Sequence, residues 1–84
     1  MSYVPYFASK MQTTLDNNRH KGGWCNLTPK ECLHRMRQET IELAKAVKEN
    51  KSEEEVQSEC TDVANFAMFL CHNYYQKEGG EDEC

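Results

Sequence analysis

Apolar residues recur every three or four positions along two long segments of this chain. Residues with this spacing share one face of an α-helix. The earlier stripe consists of Leu33, Met36, Thr40, Leu43, Ala44 and Val47, and the later one of Val56, Cys60, Val63, Ala67, Leu70 and Tyr74. No sustained two-residue alternation or hairpin dipeptide, the usual signs of β-strands, accompanies them. The sequence therefore predicts an all-α protein.

Capping residues mark where the two long helices begin. Thr28, Pro29 and Glu31 form a capping-box pattern with proline in the first turn, which predicts the start of the second helix. Ser52 precedes three consecutive glutamates, whose charge complements the positive N-terminal end of a helix. The third helix is therefore predicted to begin at Ser52 and to reach Gln76, after a tight connection from the second.

A shorter N-terminal helix is predicted over residues 5–19, so the expected architecture is a hairpin of two long helices with one short helix beside it. The 84-residue length allows one domain, over residues 1–77, and the acidic tail over 78–84 is expected to be disordered because it has no apolar anchor. Below about 70–80 residues a lone core seldom supplies more than about 3–5 kcal/mol, and this chain lies just above that length. We therefore expect a homodimer or homotetramer that completes a four-helix-type bundle.

The composition excludes several classes of protein. Ten Lys and Arg residues against fourteen Asp and Glu residues give a net charge of −4, which disfavours non-specific binding to nucleic acid. No segment approaches the roughly 20 apolar residues of a membrane span. The N-terminal residues do not resemble a secretory signal, and the five cysteines show no standard zinc spacing. A cytoplasmic protein is expected.

Four carboxylates stand out on the two long helices. Glu39 and Glu42 lie on one flank of the second helix, and Glu59 and Asp62 on one flank of the third. In an antiparallel hairpin the pairs can face each other, where they repel unless a cation neutralises them. Oxygen ligands of this kind suit Mg²⁺ or Mn²⁺. The alternative is a solvated acidic helix face with independent carboxylates.

Three further residues are candidates for binding a substrate. Lys21, beside a Gly-Gly pair, is placed to grip phosphate oxygens, although a basic surface loop is the alternative. Trp24 is suited either to stacking on a nucleobase or to closing one end of a helix bundle. Asn65 lies one turn beyond Asp62, where it can bind a phosphate, a sugar or a metal-bound water. The alternative is an amide on the helix surface or at an interface.

The acidic motifs resemble those of the MazG-like nucleotide pyrophosphohydrolases, in particular the compact, often phage-borne branch. The likeness rests on QETIEL at residues 38–43, on Glu59-x-x-Asp62 followed by VANF, and on KGGW at residues 21–24. It covers the chain roughly from Phe7 to Tyr74.

This resemblance implies an all-α dimer or dimer of dimers that hydrolyses nucleoside or deoxynucleoside triphosphates to the monophosphate and pyrophosphate with Mg²⁺. The metal ligands implied are Glu39, Glu42, Glu59 and Asp62. Either Glu39 or Glu42 would position or deprotonate the attacking water. One departure is Gln38, which stands where the family has a glutamate, and an amide cannot act as a base. The alternative function is therefore a catalytically weak or inactive helical module that binds nucleotides or another protein.

Overall fold

A computed structural model describes residues 2–18 and 26–79, with side chains described as far as residue 74. It contains three helices, α1 (Tyr3–Asn17), α2 (Pro29–Lys48) and α3 (Glu53–Gly79), and no strand within those residues. The all-α prediction is confirmed. In the same part of the chain, no helix combines the length and apolarity needed to span a bilayer.

The helix boundaries differ slightly from those predicted. The first helix begins and ends two residues earlier than the predicted range 5–19. The third helix continues three residues past Gln76, so residues 78–79 of the predicted disordered tail are helical. The remainder of that tail, residues 80–84, lies outside the described residues.

Both predicted helix caps are present. The Glu31 amide donates to the Thr28 hydroxyl at 3.1 Å, and the Thr28 amide donates to the Glu31 carboxylate at 2.8 Å. These reciprocal bonds are the predicted capping box. At the start of α3 the Glu55 amide donates to the Ser52 hydroxyl at 3.2 Å. The caps are local, which is why the sequence predicts them correctly.

A tight turn at residues 49–52 reverses the chain between α2 and α3. Asn50 adopts a left-handed conformation with φ of 56°. Its amide donates to the carbonyl of Val47 at 3.1 Å, and the Lys51 amide donates to that of Ala46 at 3.0 Å. This pair of bonds is a Schellman motif, which satisfies two carbonyls at the end of α2. The turn sets α2 and α3 side by side, and α1 packs on another side of α3.

The buried face of α2 overlaps the predicted stripe only in part. Cys32 and Ala46 are buried, and half-buried side chains lie between them at helical spacing: Met36, Glu39 and Leu43. Four members of the predicted stripe are instead exposed: Leu33, Thr40, Ala44 and Val47. The apolar spacing fits either set of positions, and the packing of α3 decides which set is buried.

The face of α3 was predicted only in part. Four members of the predicted stripe are half-buried, namely Val56, Cys60, Val63 and Leu70, but the most buried residues are mostly polar. Ala67 and Tyr74 of the predicted stripe are exposed, whereas Phe69 is buried together with three polar side chains: Thr61, Asn65 and Asn73. A purely apolar pattern cannot identify these positions. Each of these polar side chains makes at least one hydrogen bond, which offsets part of the cost of its burial.

Polar contacts join α1 to α3. The Thr14 and Thr61 hydroxyls are 3.0 Å apart, and the Thr61 hydroxyl is also 2.8 Å from the carbonyl of Ser58. One ordering satisfies both bonds, with Thr14 donating to Thr61 and Thr61 donating to Ser58. The Asn65 amide also donates to the carbonyl of Met11 at 3.4 Å. No side chain of α1 is fully buried, so these bonds are central to its attachment.

Candidate metal centre

The turn at residues 50–51 aligns the carboxylates of the two long helices. Glu42 lies eight positions before this turn and Glu59 eight positions after it. Glu39 and Asp62 are each eleven positions away. Residues equally distant from the turn of an antiparallel hairpin lie at the same height along it, because both helices rise by the same amount per residue. The hairpin therefore carries two layers of acidic residues.

Three of these side chains converge. Carboxylate oxygens of Glu39, Glu42 and Glu59, which we call the acidic cluster, all lie within 4.8 Å of one another. Glu39 and Glu59 are half-buried and Glu42 is exposed. One oxygen of Glu59, Oε1, is buried and has no hydrogen-bond donor in the described part of the chain. A buried acceptor without a donor is costly, so the cluster is suited to a positively charged ligand.

The environment of the cluster favours the protonated form of two carboxylates. Burial raises the pKa of Glu39, and the negative charges of Glu42, Asp62 and Glu59 raise it further, while Arg35 acts in the opposite direction. Burial also raises the pKa of Glu59, with Asp62 as the largest neighbouring charge. Without a cation, these acids are therefore harder to ionise than exposed ones.

The donor atoms restrict which ion fits. Three carboxylates from two helices supply only oxygen, the ligand preferred by hard divalent cations such as Mg²⁺, Mn²⁺ and Ca²⁺. A cation among them would offset the mutual repulsion and give the buried oxygen of Glu59 a partner. The residues present thus fit a divalent cation.

The other residues singled out from the sequence have different positions. Asp62 is half-buried and acts electrostatically on the cluster, but it is not among the three side chains that converge. Asn65 is buried at the α1–α3 contact, and its Oδ1 has no donor among the described residues. The side chain of Gln38 is exposed. Lys21 and Trp24 lie outside the described residues.

Sequence reasoning missed one contact beside the cluster. The Arg35 guanidinium lies over the ring of Phe66, 5.0 Å from its centroid. Phe66 in turn meets Phe69 edge to face, with centroids 5.4 Å apart. Arg35 is fifteen positions before the turn at 50–51 and Phe66 fifteen after it, so the symmetry that aligns the acids also predicts this pair.

Comparison with known proteins adds no further constraint, because no family model, curated protein or solved structure matches the chain.

Proposed function

We propose that this protein is a metal-dependent nucleoside triphosphate pyrophosphohydrolase with its metal at the acidic cluster. The observation that carries the proposal is the convergence of Glu39, Glu42 and Glu59 within 4.8 Å, with one buried oxygen of Glu59 lacking a donor. The motif resemblance described above supports the choice of reaction. Mg²⁺ is the proposed cofactor, with Mn²⁺ as a substitute, and Asp62 is the proposed fourth acidic ligand, acting directly or through water.

The proposed chemistry follows from a divalent cation at the acidic cluster. A divalent cation held here would polarise the phosphoryl oxygens and acidify a nearby water. The water oxygen attacks the α-phosphorus, its proton passes to a glutamate, and the bond from the α-phosphorus to the bridging oxygen breaks to release pyrophosphate. Either Glu39 or Glu42 is the candidate for the base that accepts this proton, and the other would hold the metal and orient the water.

A second candidate function is a helical module that binds nucleotides without hydrolysing them. The observation that favours it is Gln38, whose amide replaces the family glutamate and cannot accept a proton. Because its side chain is exposed, this substitution leaves the converging glutamates in place. We therefore rank the hydrolase first.

A homodimer or homotetramer is the proposed working form. Leu33, Ile41 and Val47 on α2 are exposed, and a second copy of the chain would cover them in a four-helix-type bundle. Nucleic acid and membranes are not proposed as partners, and a cytoplasmic location is part of the same proposal.

Pyrophosphate release from the eight common nucleoside and deoxynucleoside triphosphates, with Mg²⁺, Mn²⁺ or EDTA, tests the function. We expect metal-dependent release of pyrophosphate and monophosphate. Glu59→Gln should lower kcat/KM roughly 100-fold, which corresponds to about 2.7 kcal/mol. The matched control is Glu54→Gln, which changes an exposed glutamate on the same helix and should stay within about twofold.

Direct binding measurements separate the alternatives. Nucleotide binding without turnover would favour the module. If neither nucleotide nor Mn²⁺ binds, the carboxylates are only a solvated surface and the proposed function is wrong. Circular dichroism of each variant confirms that a loss of activity does not come from unfolding.

A further inference from the structure

Arg35 lies at the edge of the acidic cluster. It precedes Glu39 by one helical turn and Glu42 by two, so the three side chains follow one line along α2. Burial and neighbouring carboxylates raise the pKa of Glu39, and the positive charge of Arg35 lowers it. The cluster thus has a positive charge at one end of its line.

Phe66 holds that charge in place from the opposite helix. It follows Glu59 by seven positions and therefore lies on the same face of α3, one layer beyond the carboxylates. The Arg35 guanidinium is 5.0 Å from the Phe66 centroid, within the range of a cation–π contact. Phe66 is half-buried and packs edge to face on buried Phe69, so the ring beneath the guanidinium is itself supported.

This arrangement leaves the polar edge of the guanidinium available. In the described part of the chain, the close contact of Arg35 is with an aromatic ring, and its side chain is exposed to solvent. A cation–π contact does not by itself consume the five N–H donors of the guanidinium as hydrogen bonds would. Those donors match the paired oxygens of a phosphate group.

A polyphosphate needs such a group here. The nucleotide and the cluster are both negative, and a cation bound by the glutamates offsets only the charge closest to it. We propose that Arg35, supported by Phe66, binds the β- and γ-phosphates of a nucleoside triphosphate whose α-phosphate lies at the acidic cluster. The proposal rests on the proposed function, and it orients the substrate along the α2–α3 seam with the leaving pyrophosphate towards the start of α2.

The experiment is calorimetric titration with inorganic tripolyphosphate, pyrophosphate and a nucleoside monophosphate in the presence of Mg²⁺. Arg35→Gln should weaken binding of the first two roughly tenfold and leave monophosphate binding within about twofold. Arg35→Lys keeps the charge but loses the planar fork, so it should give an intermediate loss. The matched control is Arg37→Gln, which removes an exposed arginine of α2 that points away from this line.

Phe66→Leu tests the supporting role of the ring. It removes the aromatic face while keeping an apolar side chain, so it should weaken tripolyphosphate binding less than Arg35→Gln does. Mn²⁺ affinity, measured on every variant, should not fall for Arg35→Gln, because the three glutamates remain.

Three results overturn the inference. If Arg35→Gln binds tripolyphosphate as tightly as Arg37→Gln while the parent protein hydrolyses triphosphates, only the role of Arg35 is wrong. If the parent protein hydrolyses triphosphates but binds no tripolyphosphate with Mg²⁺, this inference is wrong and the proposed function stands. If it neither binds tripolyphosphate nor hydrolyses any triphosphate, both are wrong.

Discussion

Two buried oxygens, Oε1 of Glu59 and Oδ1 of Asn65, have no hydrogen-bond donor among the described residues. They lie on different sides of α3, since Glu59 belongs to the α2 seam and Asn65 contacts α1. For Glu59 the proposed partner is a cation shared with two other carboxylates. The amide nitrogen of Asn65 donates to the Met11 carbonyl of α1, so this side chain has a structural role.

Protonation and metal binding should compete at the acidic cluster. The pKa values of Glu39 and Glu59 are raised in the folded protein. Between the ordinary carboxylate pKa, about 4.3, and these raised values lies a pH window in which the folded protein binds more protons than the unfolded chain. Their contribution to stability therefore falls as the pH rises through that window, and below it the effect vanishes. We expect Mn²⁺ to raise the Tm more at about pH 7.5 than at about pH 5.

Thermal unfolding with and without Mn²⁺ at both pH values measures this difference. Glu59→Gln should remove most of the metal effect, whereas Glu54→Gln should keep it. An equal Tm increase at both pH values, or an increase that survives in Glu59→Gln, would contradict the assignment of these carboxylates to the site.

Asn73 should contribute strongly to stability. Its amide donates to the Leu27 carbonyl at 2.8 Å and approaches the Cys32 sulfur at 3.7 Å, and the side chain is buried. Asn73→Ala should lower the free energy of unfolding by about 1–3 kcal/mol, because a part-buried carbonyl loses its donor. Urea denaturation measures the loss. Exposed Asn17 provides the control, since Asn17→Ala should change stability by no more than about 0.5 kcal/mol.

For the helices, the caps were predicted correctly because they depend on neighbouring residues. The buried faces were predicted less well because they depend on packing against other helices. The Thr28 and Ser52 caps depend on residues three apart, so they are visible in the sequence. The buried face of α2 passes through Cys32 rather than Leu33 because α3 decides which side is covered. On α3, burial of Asn65 and its neighbours depends on hydrogen bonds to other segments, which periodicity cannot reveal.

The part of the candidate site that could be predicted is the alignment of the acidic residues, because their distances in sequence from the turn determine it. The spacings from the turn at 50–51 bring Glu39, Glu42 and Glu59 into one cluster. The same spacings would have paired Arg35 with Phe66, but an isolated arginine on a polar helix face carries no motif. Burial of one Glu59 oxygen depends on side-chain packing, so only the structure reveals it.

The backbone conformation of the α2–α3 turn should contribute to the stability of the hairpin. Asn50 is left-handed, a conformation that asparagine tolerates better than alanine and that glycine adopts without steric cost. Asn50→Ala should lower the free energy of unfolding by about 1 kcal/mol, whereas Asn50→Gly should be neutral or slightly stabilising. Urea denaturation distinguishes the two. If both variants are destabilised equally, the asparagine side chain and not the backbone conformation is responsible.

The described part of the molecule has few buried apolar side chains. Within the described residues, the buried apolar side chains are Cys32, Ala46 and Phe69, and the other buried side chains are polar. Several large apolar groups remain at the surface of α2, with Ile41 69% and Val47 57% exposed. Such a core is small for an independent domain, which is the physical reason to expect association of copies through α2.

Charging this surface should therefore dissociate the protein. We expect the parent chain to sediment as a dimer or tetramer, and the double variant Ile41→Lys, Val47→Lys to sediment as a monomer, because two desolvated lysines cannot be accommodated in an apolar interface. Val4 on α1 is 79% exposed, so Val4→Lys adds the same charge away from α2 and should leave the assembly intact. Analytical ultracentrifugation over a concentration series measures the masses. A monomeric parent, or a double variant that still associates, would show that α2 is not the interface.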